Sequence, residues 1–323
     1  MNRRFIMGVI LVIIACCLLL TSLTLYATSI AGVTLPGMSS VEPTPTPIPE
    51  TPTPIPTPKP ELTAQGPLPV LQAKVAYLVD MQNGHVLYDI HGEQAAPMAS
   101  TTKIMTALIA IQTGNLDQEI TVKRDAYLHV IELGSSNAGL VPGEQFTLRE
   151  LLYGLMLPSG GDAAIAISDA LAGSPENFVV RMNLFASRLH LFQTHYTNVD
   201  GLTSEDTHYS SAADLTRLAR YALTNPVFRQ IVDTPTYTLP TTKQHGPHTW
   251  TNTNTLLNTY KGMLGVKTGH TDLAGYCLVF EAQRNGHSLI GVVLNSPDQA
   301  IRDQDVSKLL NWGFGLPMKV PAL

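Results

Sequence analysis

Cysteine is scarce in this chain, with three among 323 residues. Cys16 and Cys17 lie in the apolar N-terminal segment, so the rest of the sequence contains only Cys277. A single thiol cannot form a disulfide within its own domain, which excludes the disulfide-stabilised class of small secreted domain. We expect Cys277 to be a small buried hydrophobic side chain.

Charged residues are also few. Asp, Glu, Lys and Arg make up 14% of the chain, and the formal net charge is -5 at pH 7. The sequence contains no basic run and no stripe of alternating basic and aromatic residues, so we expect no nucleic-acid partner. Hydrophobic residues reach 44%, which is enough to form a sizeable core.

Two catalytic signatures are absent. The ten histidines form no H-E-x-x-H or comparable pair, so we predict no metal site and no cofactor. The G-x-S-x-G segment that surrounds the nucleophile of α/β-hydrolases is missing as well, which argues against a Ser-His-Asp enzyme of that kind.

The N-terminus contains one long uncharged segment, residues 5–26, which matches the roughly 20 residues that a membrane-spanning helix needs. Arg3 and Arg4 precede it, so the positive-inside rule places residues 1–4 in the cytoplasm and the rest of the chain outside. A cleaved signal peptide, with a small-residue site at Ser29 to Ala31, is the alternative. We favour an uncleaved, single-pass anchor in the cell membrane.

Proline occupies nearly every second position from Pro43 to Pro60. Such a run forms neither a helix nor a central strand, and it is typical of a semi-rigid polyproline spacer that rises about 3.1 Å per residue. We therefore assign residues 27–69 to a proline-rich linker. Residues 70–323 would form the folded domain outside the cell.

Two pairs of alternating apolar segments predict antiparallel hairpins, each with an Asn-Gly turn. The first pair is 74–81 and 85–90, and the second is 276–282 and 288–294. Between them the sequence is mostly helical, with capping-box signatures at Thr147 and Ser211 and a last helix over 299–312. This pattern predicts an α/β fold in which N- and C-terminal strands share an antiparallel sheet, flanked by helices and joined to a helical lobe.

Ser100 and Lys103 lie three residues apart at the start of an apolar segment, MASTTKIMTALIA. On a helix they would share one face, so the lysine amine could reach the serine hydroxyl. Taken alone the spacing is equally consistent with Ser100 as an ordinary N-cap and Lys103 extending from the rim of a core helix.

Two further motifs follow in order: Ser159-Gly-Gly161 in a loop between helices, and Lys267-Thr-Gly269 before the C-terminal hairpin. The set resembles the S-x-x-K, S-x-N and K-T-G motifs of penicillin-binding proteins and serine β-lactamases. The stretches LLYGLMLPSGGDAA, HYSSAADLTRLARYAL, GVKTGHTDLAGYCLV and SKLLNWGF resemble the D-alanyl-D-alanine carboxypeptidases of low molecular mass, peptidase family S11. The resemblance covers about residues 70–318 and implies the β-lactamase/transpeptidase-like fold.

That resemblance implies a serine peptidase that removes the terminal D-alanine from peptidoglycan stem peptides and binds β-lactam antibiotics. Ser100 would be the nucleophile and Lys103 its base. An unperturbed lysine has a pKa of about 10.4, so Lys103 needs a lowered pKa. We expect burial on the apolar helix to lower it, with repulsion from Lys267.

The second motif has two candidates. Ser135-Ser-Asn137 matches S-x-N literally, but Asp162-Ala-Ala follows Ser159 as it does in the family, so we choose Ser159 as the residue that passes a proton to the departing D-alanine.

The resemblance also implies the substrate-binding residues. Lys267, Thr268 and Arg302 would face the terminal carboxylate. Arg302 suits this role because a guanidinium binds a carboxylate through two hydrogen bonds. Gly269 would let the strand approach closely, and the backbone N–H groups of Ser100 and His270 would form the oxyanion hole.

Gly161 departs from the family pattern, which usually has asparagine at this position in contact with substrate. If the backbone there tolerates asparagine, Gly161→Asn should accelerate acylation; if Gly161 has a positive φ, the substitution should hinder it. The departure keeps open a catalytically weak module that senses penicillin or binds the cell wall. A class A β-lactamase would need an E-x-x-L-N segment, which is absent between Ser159 and Lys267.

Overall fold

The computed structural model describes residues 61–319. The proposed cytoplasmic N-terminus, the membrane or signal segment and the proline run lie outside the described residues, as do residues 320–323. Within the described part, no helix combines the length and the apolar composition that crossing a membrane requires.

The thirteen strands of the described residues form one central sheet and four small ones. In chain order they are β1 Glu61–Leu62, β2 Val75–Asp80, β3 Val86–Ile90, β4 Ala96–Pro97, β5 Glu119–Thr121, β6 Gln145–Thr147, β7 Tyr209–Ser210, β8 Thr236–Leu239, β9 His248–Thr251, β10 Met263–Thr271, β11 Gly275–Arg284, β12 His287–Ser296 and β13 Met318–Lys319. The central sheet is antiparallel in the order β10-β11-β12-β2-β3.

Residues 61–319 contain nine α-helices, of which eight lie between β3 and β10 and the last follows the central sheet. They are α1 Lys103–Thr113, α2 Arg124–Leu133, α3 Leu148–Met156, α4 Gly161–Ala172, α5 Pro175–Arg188, α6 Ala212–Ala222, α7 Pro226–Val232, α8 Leu256–Thr259 and α9 Gln299–Phe314. A 3-10 turn, Ala99–Thr102, leads directly into α1.

The central sheet separates two hydrophobic clusters, because successive side chains of a strand point to opposite faces. Along β2, Tyr77 and Val79 join the larger cluster with the helical lobe, whereas Ala76 and Leu78 join the smaller one with α9. This arrangement confirms the expected fold class, in which N- and C-terminal strands form a sheet covered by helices on both faces.

Both predicted hairpins are confirmed. β2 pairs with β3 and β11 pairs with β12, and Asn285 and Gly286 both have the positive φ that a two-residue turn of this kind requires. The capping box at Thr147 is complete, since Thr147 and Glu150 each accept the other's backbone N–H. At Ser211 the side chain accepts the N–H of Asp214, so the helix begins there as expected.

The ends of the domain meet beside the sheet. β1 pairs with β13, so residues 61 and 62, which we assigned to the linker, belong to the folded unit. Asp305 on α9 is fully buried, and its Oδ2 accepts the backbone N–H groups of Gln72 at 2.7 Å and Ala73 at 2.8 Å. Cys277 is free and fully buried within β11, as expected.

Candidate active site

The 3-10 turn places Ser100 next to Lys103. Lys103 Nζ donates to Ser100 Oγ at 3.0 Å and to the backbone oxygen of Asp200 at 2.8 Å. The residue before the serine, Ala99, has a φ of +47°, a conformation that costs energy in a non-glycine residue and is often kept at functional sites. The serine and lysine of the first motif therefore hydrogen-bond, which the reading of Ser100 as an N-cap does not explain: the caps of this turn and of α1 have no side-chain hydrogen bond.

Lys103 is 1% exposed, and α1 is buried on all sides over its first eight residues rather than along one face. Burial lowers the pKa of Lys103, against the opposing attraction of the Asp200 and Asp162 carboxylates. Burial also lowers the pKa of Lys267, and repulsion from the Lys103 amine and the Arg302 guanidinium lowers it further. A lysine with a lowered pKa can accept a proton from a serine hydroxyl near neutral pH.

The edge strand β10 forms the opposite wall. Lys267 is buried and donates to the backbone oxygen of Thr268 at 3.0 Å, and Thr268 Oγ1 lies 2.6 Å from Thr253 Oγ1. A Cβ at Gly269 would lie 3.0 Å from the oxygen of Met98 and 3.2 Å from the nitrogen of Ser100. The strand thus passes so close to the 3-10 turn Ala99–Thr102, the predicted nucleophile turn, that glycine is the residue that fits.

Ser159 lies in the loop between α3 and α4. It has a φ of +68° and is 5% exposed, and no group among residues 61–319 hydrogen-bonds to its Oγ. A buried hydroxyl without a partner is costly, so its retention suits a group that hydrogen-bonds to a bound substrate.

Arg302, in the first turn of α9, is 2% exposed. Its Nε and Nη2 donate to Asp303 Oδ1 at 2.9 and 2.7 Å, and Thr255 Oγ1 donates to Asp303 Oδ2 at 2.7 Å. The guanidinium is therefore held in one orientation at the cavity wall, unlike a solvated surface charge.

These elements enclose a cavity of about 210 Å³. Its walls come from the three motif segments, the loop after α2, the segment before α8, β11 and α9. The lining residues are Ser100, Ser136, Pro158, Ser159, Thr253, Thr268, Gly269, His270, Tyr276, Gln299 and Arg302. Lys103 and Lys267 lie buried behind this wall.

The nine residues that we predicted for the site fall into three groups. Six line the cavity wall: Ser100, Ser159, Thr268, Gly269, His270 and Arg302. The amines of Lys103 and Lys267 lie buried behind that wall, and Gly161 begins α4 just beyond Ser159. The structure therefore brings all three motifs to one place.

A second, wider groove of about 830 Å³ begins at His270. Leu202, Thr203 and Leu273 line it together with the end of α2. The His270 ring is exposed and packs on Tyr276 with ring centroids 4.0 Å apart, and no hydrogen bond joins it to Ser100 among the described residues. Within the same part of the chain, no cluster of His, Cys, Asp and Glu is arranged to hold a metal ion.

The surroundings of Gly161 contradict the alternative of a positive φ and reveal an obstacle to asparagine that the sequence did not show. Its φ is not positive, because Gly161 is the first residue of α4. A Cβ at this position would overlap Ser135 Oγ and lie 2.9 Å from both Ser135 Cβ and Asp200 Oδ2. Packing, not backbone conformation, is what opposes an asparagine here.

Several residues of the site were missed by sequence reasoning. Asp200 supplies the oxygen that accepts from Lys103, and Ser135 and His129 both hydrogen-bond to its carboxylate. Asp162 accepts the backbone N–H groups of the 138–140 loop. Ser135 stands in the segment that we rejected as a second motif, and nothing local in the sequence connects it with residues near position 200.

Comparisons with known proteins agree with this geometry. The family model for D-alanyl-D-alanine carboxypeptidase, peptidase S11, matches residues 61–298. A D-alanyl-D-alanine carboxypeptidase of Streptomyces sp. (strain K15) is 39% identical over 260 residues, which are 77% of this chain and 89% of that protein. The carboxypeptidase DacF of Bacillus subtilis is 36% identical over 75% of this chain and 62% of its own length.

Solved structures give the same result. The crystal structure of the Streptomyces K15 DD-transpeptidase superposes with a TM-score of 0.73 and 39% sequence identity, covering 77% of this chain and 99% of that one. Since the family model and the relatives cover most of the chain, the chain belongs to the D-alanyl-D-alanine carboxypeptidases of peptidase family S11.

Proposed function

We propose that this protein is a serine-type D-alanyl-D-alanine carboxypeptidase that acts on peptidoglycan stem peptides, with Ser100 as its nucleophile. The observation that carries the proposal is the 3.0 Å hydrogen bond between Ser100 Oγ and the buried amine of Lys103, whose pKa burial lowers. This pair lies at a cavity whose wall also contains Arg302.

The reaction follows from these positions. Ser100 Oγ attacks the carbonyl carbon between the two D-alanines while its proton passes to Lys103, and the backbone N–H groups of Ser100 and His270 stabilise the oxyanion. The C–N bond then breaks, and the departing D-alanine takes up a proton through Ser159. Water hydrolyses the resulting ester and regenerates the Ser100 hydroxyl.

The C-terminal carboxylate of the substrate would bind at the Arg302 side of the cavity. Arg302 is oriented by Asp303, and Thr268 and the buried Lys267 lie on the strand that forms the neighbouring wall. A guanidinium presents paired N–H donors to a carboxylate, which favours a peptide with a free C-terminus.

Incubation with a labelled penicillin, followed by peptide mapping with mass spectrometry, tests the nucleophile. We expect a stable adduct on Ser100, because the chain lacks the deacylating E-x-x-L-N glutamate of class A β-lactamases. Ser100→Ala should leave no adduct. Rapid turnover of penicillin without an adduct, or an adduct on another residue, would overturn the assignment.

The role of Arg302 has a separate test. Arg302→Ala should raise KM for a peptide ending in D-Ala-D-Ala more than for the same peptide with an amidated C-terminus, since the amide has no negative charge to bind. Equal effects on the two peptides would show that Arg302 does not recognise the carboxylate.

Transfer of the acyl group to an amine is a second candidate outcome. The observation that favours it is the similarity to a solved structure named a DD-transpeptidase. Chromatography of the products formed from a D-Ala-D-Ala peptide with and without added D-amino acid separates the two activities, because hydrolysis shortens the peptide whereas transfer yields an exchanged one.

We also propose that residues 5–26 hold the enzyme at the outer face of the cell membrane and that the proline run acts as its spacer. Both are supported by the sequence alone. The full-length chain should remain with washed membranes, whereas a chain lacking residues 5–26 and carrying a cleavable secretion signal should be released; retention of the shortened chain would contradict the anchor.

A further inference from the structure

The place of the family asparagine is occupied here by other side chains. Gly161 has no side chain, and the volume that its Cβ would enter is filled by Ser135 and by the carboxylate of Asp200. Ser135 is 8% exposed and Asp200 is 1% exposed, so neither is a mobile surface group.

Three hydrogen bonds fix the Asp200 carboxylate. Ser135 Oγ donates to Oδ2 at 2.7 Å, His129 Nε2 lies 2.9 Å from the same oxygen, and the backbone N–H of Leu202 donates to Oδ1 at 3.1 Å. The three partners come from α2, from the loop that follows it and from the segment after Asp200. The carboxylate is therefore held from several directions at once.

The backbone of the same residue contacts the base. The Asp200 carbonyl accepts from Lys103 Nζ at 2.8 Å, and the same amine donates to Ser100 Oγ at 3.0 Å. The next residue, Gly201, has a φ of +86°, and a Cβ there would overlap the oxygen of Ala99 in the nucleophile turn. Movement of Asp200 would consequently move the acceptor of Lys103.

We infer that Ser135, His129 and Asp200 form a positioning network that orients Lys103 and that takes the place of the missing amide at position 161. The inference deepens the proposed function and rests on it, since the orientation matters only if Lys103 activates Ser100. In this arrangement Gly161 is required, because the network uses the space that a side chain would need.

Charge gives the network a second effect. The carboxylates of Asp200 and Asp162 favour the protonated amine of Lys103, and that amine in turn disfavours the charged forms of Lys267 and His208. Burial would raise the pKa of Asp200, but Lys103 and the hydrogen bonds from His129 and Ser135 outweigh it and hold that pKa below its usual range. Asp200 is thus charged when Lys103 accepts a proton.

Second-order rates of acylation by a labelled penicillin, measured on the full chain, test the hydrogen bonds. Ser135→Ala and His129→Leu should each slow acylation about three- to tenfold, the effect of losing one hydrogen bond. His129→Gln keeps an N–H donor of similar reach and should recover most of the rate. Ser168→Ala, which removes another buried serine hydroxyl, serves as the control and should change nothing.

The pH profile separates positioning from a purely structural role. Asp200→Asn removes a charge that favours protonated Lys103, so the rise of the acylation rate with pH should move to lower pH. A slower rate with an unmoved profile would overturn the electrostatic part of the inference.

The occupied space has its own test. Gly161→Asn should slow acylation about tenfold or more, and Ser135→Gly combined with Gly161→Asn should recover part of that loss, because the second substitution frees the volume. Faster acylation by Gly161→Asn alone would overturn the network. If the natural protein is not acylated at Ser100, the proposed function fails; if it is acylated and Ser135→Ala and His129→Leu match it, the network alone fails.

Discussion

At the scale of single residues, the burial of a lysine side chain determines whether its amine can act as a base. Lys103 and Lys308 are both lysines on helices, but Lys103 is 1% exposed with its amine beside Ser100, whereas the Lys308 side chain is 48% exposed. Burial disfavours the charged form of an amine and so produces a base from a group that is ordinarily protonated at neutral pH.

Lys103→Arg tests this directly. A guanidinium keeps the charge but cannot lose its proton at accessible pH, so acylation by penicillin should slow roughly 10²- to 10⁴-fold. Circular dichroism should show that the variant still folds, and Lys308→Arg should acylate normally. Acylation of Lys103→Arg at a near-natural rate would show that Lys103 is not the base.

His208 is a second residue with an altered pKa, and it supports the nucleophile turn. The N–H of Thr197 donates to its Nδ1, so its Nε2 carries the proton and donates to Thr102 Oγ1 at 2.7 Å. Burial lowers the pKa of His208 to about 4, with the attraction of Asp200 opposing the shift. The folded protein therefore keeps this ring neutral.

We expect a pH-dependent loss of stability from this ring. The contribution of the neutral imidazole is complete above its unfolded pKa near 6.5 and is lost as the pH falls toward 4, with a slope on the order of 1 kcal/mol per pH unit. Urea unfolding between pH 7 and pH 4 measures it. His208→Asn, which keeps an acceptor for Thr197, should flatten that slope, whereas the exposed His190→Asn should retain it; equal slopes in the two variants would contradict the assignment.

At the scale of elements, close approach of β10 to the nucleophile turn forms the site. The third motif contributes its glycine for this reason, since a Cβ at Gly269 would press on Met98, Ala99 and Ser100. In the proposed mechanism, the strand and the turn each supply one backbone donor to the oxyanion.

Gly269→Ala should push β10 and the turn apart by a few tenths of an ångström. Acylation should slow about tenfold, because small displacements of reacting groups are costly, and the free energy of unfolding should fall by about 1–2 kcal/mol. Gly246→Ala is the control, since its Cβ would meet only Glu144 Oε1 at 3.5 Å. Unchanged rates in Gly269→Ala would mean that the approach has no catalytic consequence.

At the scale of the whole molecule, the two ends of the described chain are fastened together. Asp305 on α9 accepts two backbone N–H groups from the segment before β2. In addition, β1 at the start of the described residues pairs with β13 at their end. The same helix carries Arg302 in its first turn. The hydrogen bonds of Asp305 therefore also help to position the helix that forms one wall of the cavity.

Asp305→Ala should lower the free energy of unfolding by about 2–4 kcal/mol, because two donors lose their acceptor. Lys308→Ala, which removes only the exposed partner of Asp305 Oδ1, should cost less than about 1 kcal/mol. Urea denaturation of both variants provides the comparison. Similar small losses in the two would show that the backbone contacts contribute little.

The sequence by itself determined the parts whose causes are local. Hairpins at Asn-Gly turns, the helix starts at Thr147 and Ser211, and the ordered motifs all depend on neighbouring residues, and the structure has each of them. The place of residues 61 and 62 in the folded unit was missed, because a two-residue strand has no periodicity of its own and forms only by pairing with β13.

Only the tertiary structure decided what surrounds Lys103 and Gly161. Asp200, Ser135 and His129 reach this place from separate segments, and their contacts depend on how α2, α4 and the nucleophile turn pack. The sequence showed that an amide was missing at position 161, but not that the space was filled. The sequence shows that position 161 has no side chain, whereas the groups that fill the adjoining space, Ser135 and Asp200, lie far from it along the chain.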